Sequence, residues 1–486
     1  MMNFRYYSFL IFTFFLFACS PEGHMYEGAI CIENISSIDP RDGLKKNQTL
    51  IIREGKIIKV APTASLKLSP ENKILDAKGK YVIPGLWDAH VHFAYIEELA
   101  PRMFDLFLAY GITSVRDTGG KIDFVSKWKK KALENPQEAP RVKIAGPLLD
   151  GMPNVYDGST PMRPELSVGT ATVEELEAQI HSLYEKGIDL LKAYEMLTPE
   201  QFKTVTRMGK ELGLPVTGHV PLSMDVSSAS NAGLNSMEHM RNLELSCASN
   251  ADELWAVRNQ MLEAGKNDAG GDLRSRIHSV QRVIAVENYD ERVADEVLAV
   301  LAKNKTWQVP TLALSTGMVK QPFSEPAFQE SFQYLPDSLE KAWLAGAARV
   351  SKVNLSDFNK AHSTWMFNMV NKVHKTGIDI MAGTDCPIFF LTPGRSLHEE
   401  LRVLVEAGMS PLEVIKSATL NPARYFGMED ELGSIQENMW ADLLILNANP
   451  LEDINNTLEI DAVIREGKVY DRGDLDEMLE KLDSNN

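Results

Sequence analysis

Between about residues 81 and 429, short apolar runs alternate with segments whose apolar residues recur at helical spacing. Eight of the runs have strand character: 81–93, 111–117, 141–149, 188–194, 215–220, 236–240, 308–314 and 378–385. Between them, segments such as 174–186 and 199–212 are amphipathic in the helical sense. Strand followed by helix, repeated, predicts a parallel α/β fold: a (β/α)8 TIM barrel over residues 85–429, with a doubly wound sheet as the alternative. Segments 243–305 and 337–375 are longer than a single crossover needs and also look helical, so they are expected as insertions that roof the barrel mouth.

The two ends of the chain have another texture. Residues 29–35, 49–53 and 55–60 read as short strands broken by turns at Asn47 and Gly55, and 433–435, 441–446 and 462–470 repeat that pattern. The expectation is a small composite β-sandwich domain built from residues 26–84 and 430–472.

Residues 1–19 read as a signal peptide: Arg5 precedes an apolar run over 9–18 that is too short to span a ~30 Å hydrocarbon core as a permanent helix. Leu16-Phe17-Ala18-Cys19 resembles a bacterial lipobox, which implies a lipid on Cys19, an exported protein and a membrane contact made only through that anchor. An ordinary cleaved secretory signal is the alternative, and it predicts export as well. Of the four cysteines, Cys31, Cys247 and Cys386 remain once Cys19 is set aside, and their scattered positions predict no disulfide framework.

A net charge of −17 argues against a phosphate-backbone partner, since nucleic-acid binders displace counterions with a basic face. No Gly-rich phosphate loop and no Gly-x-Ser-x-Gly elbow is present. Chemistry on a small molecule or short peptide is what remains, with a second copy of the chain left open as a partner.

Candidate ligands gather at the ends of the predicted strands. Pro84-Gly85-Leu86-Trp87-Asp88-Ala89-His90-Val91-His92 closes the first, and residues two apart on a strand share a face, so His90 and His92 converge. Two such imidazoles suit a Zn²⁺-like ion, which takes nitrogen ligands at ~2.0–2.1 Å. Gly218-His219-Val220, Glu238-His239 and Gly383-Thr384-Asp385 each put a ligand-type residue at a later strand end. In a parallel barrel those ends share one rim. Lys192 shares a strand face with Leu190 and Tyr194. A buried amine there either pairs with an acid or reaches solvent, or loses its proton and reacts with CO₂ to a carbamate able to bridge two metals.

These motifs, together with Gly111-Ile112-Thr113-Ser114-Val115-Arg116-Asp117, Asn421-Pro422-Ala423-Arg424 and the returning strand Ala441-Asp442-Leu443-Leu444-Ile445-Leu446, resemble the amidohydrolase superfamily. The likeness runs from about residue 29 to 469, toward the imidazolonepropionase-like and prolidase-like branch. The resemblance implies that His90 and His92 hold one metal and His219 and His239 the other, with N-carboxylated Lys192 bridging them. It implies further that Asp385 touches the metal and the attacking water, as catalytic base and then acid. Two zinc ions are expected; manganese, cobalt or iron would accept the same ligands, and relatives with a single metal lack the lysine.

Arg116, Tyr194, Tyr156 and His398 are candidates for substrate contact. The alternatives are an ion pair of Arg116 with Asp117, packing for Tyr194 and structural support from His398. Tyr156 falls in a loop, 148–163, that departs from the Gly- and His-rich turn many relatives carry there. The expected activity is hydrolysis of an amide-type C–N bond in a dipeptide-like or cyclic substrate. An ester or phosphoester hydrolase with the same metals, or a non-catalytic binding lipoprotein, is the competing reading.

Overall fold

Gly85 is where the two textures of the sequence meet. In the computed structural model, which describes residues 26–69 and 71–483, the apolar run 81–93 divides into two strands, Tyr81–Pro84 and Leu86–Val91, that belong to different sheets. Gly85 N donates to the Asp442 carbonyl at 2.8 Å, while Leu86 N donates to that of Gly111 at 3.1 Å. A Cβ on Gly85 would stand 2.3 Å from Thr113 Oγ1, so only glycine passes here. The expected signal segment, with Cys19, lies outside the described residues.

The terminal sheet has eight strands. Ile30–Asp39, Gly43–Arg53, Lys56–Pro62 and Lys73–Asp76 come from the N-terminal side, and Leu443–Leu446, Ile460–Arg465 and Lys468–Asp471 from the C-terminal side. Tyr81–Pro84 is the seam, parallel to Ile30–Asp39 and antiparallel to Leu443–Leu446. Alternation sorts its side chains: Ile32, Leu50, Ile52 and Ile464 fill one apolar layer, and Ala29, Cys31 and Ile51 another. Asp39 ties the ends together, accepting from Ile435 N at 2.6 Å and from the Ser434 hydroxyl.

The barrel ring runs through Leu86–Val91, Ile112–Asp117, Arg141–Ile144, Leu191–Ala193, Val216–Gly218, Ser236–Glu238, Trp307–Val309 and a final segment, 378–386. Asp189 N donates to Ile144 O at 2.8 Å between the third and fourth members. The final segment forms no ladder of its own. It bridges Gln308 to Ile380 and Val91 to Cys386, and Ala89 N→Ala382 O (2.9 Å) and Asp385 N→His90 O (2.8 Å) close the ring. The run 141–149 also divides: Leu148–Gly151 stays beside the ring, paired with Leu191–Ala193, and its other edge pairs with Ser167–Thr170, which begins a loop over the mouth.

Outer helices carry the start and stop signals their sequences contain. Pro199–Leu212 opens on a Thr198/Gln201 capping box and stops at Gly213, whose φ of 70° is left-handed. Its buried face, Phe202, Val205 and Met208, packs inward. The expected insertions are helical: Ala251–Ala264, Gly270–Glu287 and Glu291–Asn304 precede the seventh strand, and Asp337–Val350 and Asp357–Lys375 follow it. Cys31, Cys247 and Cys386 are buried and free.

A buried ion pair of the terminal sheet is tied to the barrel by Ala139 and Arg141. Arg465 Nη1 lies 3.0 Å from Asp442 Oδ1, and its Nε donates at 2.8 Å to the carbonyl of Ala139, just before the third barrel strand. Arg141 reaches the other Asp442 oxygen at 3.3 Å. Arg465→Ala leaves a buried carboxylate short of its partner. The expected loss is about 3 kcal/mol, the low end for a broken buried pair because Arg141 stays. A urea midpoint by circular dichroism equal to that of the parent would disprove it.

Candidate metal centre

Six side chains expected at the rim come from five places on the ring. His90 and His92 close the first strand, Lys192 sits in the fourth, His219 and His239 follow the fifth and sixth, and Asp385 stands in the final segment; all are buried. Asp385 Oδ1 lies 3.2 Å from His90 Nε2 and 3.0 Å from His92 Nε2, and its Oδ2 lies 3.6 Å from His239 Nε2. The rings of His90 and His239, and of His239 and His219, are each 4.8 Å apart between centroids.

Close approach and backbone conformation both serve this gathering. A Cβ on Gly383 would sit 2.9 Å from His90 Cβ, so the residue two before Asp385 must be bare for the segment to pass the first strand. His239 and Asp385 hold φ at 56° and 68°, the left-handed region that L side chains rarely adopt. Such conformations persist only where surrounding contacts over-determine them, and they concentrate at functional sites.

Every imidazole is gripped on its Nδ1 side. His90 Nδ1 meets Glu238 Oε2 at 2.6 Å, His92 Nδ1 the Gly119 carbonyl at 3.0 Å, His219 Nδ1 Glu195 Oε1 at 2.6 Å, and His239 Nδ1 Thr311 Oγ1 at 2.6 Å. With Nδ1 committed, each Nε2 is left for the cavity, the arrangement that orients ligating histidines in metal sites. Burial pushes His219 and His239 well below the ordinary histidine range, which keeps them neutral and able to donate a lone pair. Burial alone would raise Asp385, but His90 and His239 hold its carboxyl well below the usual range.

Lys192 Nζ is buried with no hydrogen-bond partner among the described residues. Burial pushes it down to about 8 against the pull of Glu238. Asp385 Oδ1 is likewise buried without a hydrogen bond. Two orphaned polar atoms and four aimed imidazole nitrogens form a donor set that fits divalent metal. Among the described residues, His90, His92 and Asp385 form the one group of three or more His, Cys, Asp or Glu whose ligand atoms all lie within 4.8 Å of one another.

The four candidates for substrate contact divide. Tyr156 and Tyr194 line the cavity beside the ligands. Arg116 does not: it is fully buried in the barrel interior, donating to Ala89 O, to Ser236 Oγ at 3.2 Å and to Glu238 Oε1 at 2.9 Å, so it braces the carboxylate that grips His90. Nor does its expected alternative partner, Asp117, take it; that carboxylate accepts backbone N–H groups of Phe93 and Gly119. His398 is corrected too. Its Nδ1 faces Thr457 Oγ1 at 2.8 Å and its Nε2 the Tyr110 carbonyl at 2.9 Å, which spends both nitrogens on packing the last helices away from the cavity.

Sequence reasoning missed Glu238 and Glu195 as grips, and Arg241 and Arg274 as cavity lining. Glu195 is a hub: besides His219 it accepts Arg274 Nε at 2.9 Å and meets His278 Nε2 at 2.6 Å, both from the inserted helix Gly270–Glu287. The adjacency of Glu238 to His239, and of Glu195 to the Lys192 strand, was the available signal.

With this geometry in hand, comparison with known proteins gives a consistent set. The model of the amidohydrolase family matches residues 81–470. Ochratoxinase of Aspergillus niger is 23% identical over an alignment of 496 positions that covers 90% of this chain and 85% of that one. Imidazolonepropionase of Salmonella agona (strain SL483) is 25% identical over 231 residues, 38% of this chain, so the chain matches just 56% of its length. Among solved structures, a Xaa-Pro dipeptidase with bound methionine superposes with a TM-score of 0.65 at 20% identity, over 91% of this chain and 100% of that one.

Glu195→Gln keeps the volume but removes the charge that orients His219. Metal affinity is expected to fall about 10–100-fold, the usual effect of losing such a support. Titration of the metal-stripped protein with Zn²⁺ measures it, and an unchanged affinity would refute the role.

Proposed function

Because the chain belongs to the amidohydrolase family, we propose that it is a metal-dependent hydrolase that splits an amide-type C–N bond of a small substrate with water. The observation that carries the reading is the set of four imidazoles held by Nδ1 with Nε2 aimed at a shared space beside Asp385. His90 and His92 would hold one divalent ion, His219 and His239 a second, and Lys192 would bridge them as its carbamate. That group forms when the neutral amine adds CO₂ and releases a proton. Zinc suits the imidazole-rich set. When bound, the metal supplies Lewis acidity toward water and toward the substrate carbonyl.

The remaining steps fall to the chain. Asp385, ionised and beside two imidazoles, takes a proton as water oxygen bonds to the carbonyl carbon. The same carboxyl then returns the proton to the leaving nitrogen as the C–N bond breaks, giving a carboxylic acid and an amine, which part as carboxylate and ammonium once the acid proton passes to the amine. Tyr156 and Tyr194 flank the space and limit the water that enters it. The substrate is a dipeptide-like or cyclic amide, and no nucleic acid is involved. We propose also that the chain is exported and anchored through a lipid on Cys19.

Turnover on a panel of dipeptides, lactams and imidazolones, with metal content measured alongside, tests the hydrolase. Asp385→Asn is expected to retain bound metal while kcat falls about 10²–10⁴-fold. Lys192→Ala is expected to lose metal below two equivalents and activity with it. Full activity in Asp385→Asn would end the assignment of the base. For the anchor, fatty-acid labelling should mark the parent and not Cys19→Ala; an unlabelled parent would overturn it.

A further inference from the structure

The space beside the imidazoles is small. About 50 Å³ is open there, far below the ~300–1,000 Å³ typical of a small-molecule site, so a substrate must extend beyond it. Across the wall formed by His239 and Arg241 lies a second chamber of about 230 Å³, lined also by Arg282, Leu314, Met318, Phe358 and His362. Among the described residues, Arg241 is the one guanidinium that lines both spaces.

Charge on this wall does not balance. Arg241 makes no side-chain hydrogen bond among the described residues; its Nε stands 3.7 Å from Glu195 Oε1 and is buried. Arg274 uses its Nε on that same oxygen at 2.9 Å, which leaves its two terminal nitrogens without a hydrogen bond among the described residues. Glu195 is already shared with His219 and His278. Arg282 brings no surplus, since Glu244 pairs with it at 2.5 Å. Two guanidiniums, each with 17% of its side chain exposed, therefore face one carboxylate. A half-buried cation that lacks a carboxylate of its own calls for an anion.

Resting on the hydrolase reading, we propose that Arg241 and Arg274 receive a carboxylate of the substrate, so that the amide is that of an N-acylated amino acid or dipeptide with its α-carboxylate free beside the scissile bond. One surplus positive charge matches one monoanion. The planar fork of a guanidinium matches the two oxygens of a carboxylate. The apolar side of the second chamber, Leu314, Met318 and Phe358, then takes the side chain next to that carboxylate.

Binding separates this inference from the hydrolase reading. Alanyl-phenylalanine and its C-terminal amide are titrated calorimetrically into the metal-loaded full chain carrying Asp385→Asn, which is not expected to consume them. The free acid is expected to bind at least 50-fold more tightly than the amide. That gap should close in Arg241→Met and in Arg274→Met, and reopen in part in Arg241→Lys, with metal content unchanged as the check on folding. Equal binding of acid and amide, binding of neither, or a gap that survives both methionine variants would overturn the proposal. Failure of the hydrolase reading looks different: the parent would bind the free acid and leave it intact.

Discussion

The hydrogen bond on the far side of each imidazole is the constraint on which the site depends. An imidazole at a strand end can swing about two torsions, and its two nitrogens compete for whatever lies in reach. Glu238, Gly119, Glu195 and Thr311 remove that freedom by engaging Nδ1. Because each of these acceptors is itself buried and fixed, the four Nε2 atoms are aimed before any ligand arrives. Orientation is thus supplied by the barrel and not by the ion.

The supports are layered. Glu238 grips His90 and is held in turn by Arg116, while burial, which would raise its carboxyl, is outweighed by Arg116, Lys192 and His90, so the group stays well below the ordinary range. Removing any one member leaves a buried charge exposed to its neighbours without compensation. Strain enters at the same level: His239 and Asp385 keep left-handed φ values because backbone bonds His239 N→Val309 O and Asp385 N→His90 O pin them to adjacent strands.

The ring and its ligands were readable because each ligand follows an apolar run whose strand-ward sense is set by the strand–helix alternation. His219 and Asp385 needed no more than position at a strand end. What alternation could not tell was depth. Arg116 does point into the barrel, but it meets Glu238 and Ser236 beneath the ligands before it could reach a substrate. Alternation also fails where the backbone leaves β geometry: at His239 the left-handed φ lets Glu238 and His239, neighbours in sequence, serve the same site. Arg274 and His278 lay beyond reach of any local pattern, since a long helix declares its amphipathic face but not the strand end it will lean over. The division of the run 81–93 at Gly85 turned on a contact with Thr113 that only the folded chain provides.

The seam strand Tyr81–Pro84 has a consequence for the order in which the molecule is made. On one side it pairs with Ile30–Asp39, which the ribosome delivers early; on the other it waits for Leu443–Leu446, which emerges only after the whole barrel has been translated. Throughout that interval an apolar strand edge stands open, the kind of surface that invites pairing with a foreign chain. A nascent copy stalled before Leu443–Leu446 would carry its barrel strands and an open margin, so the codons for that returning strand bear on whether the product escapes such pairing.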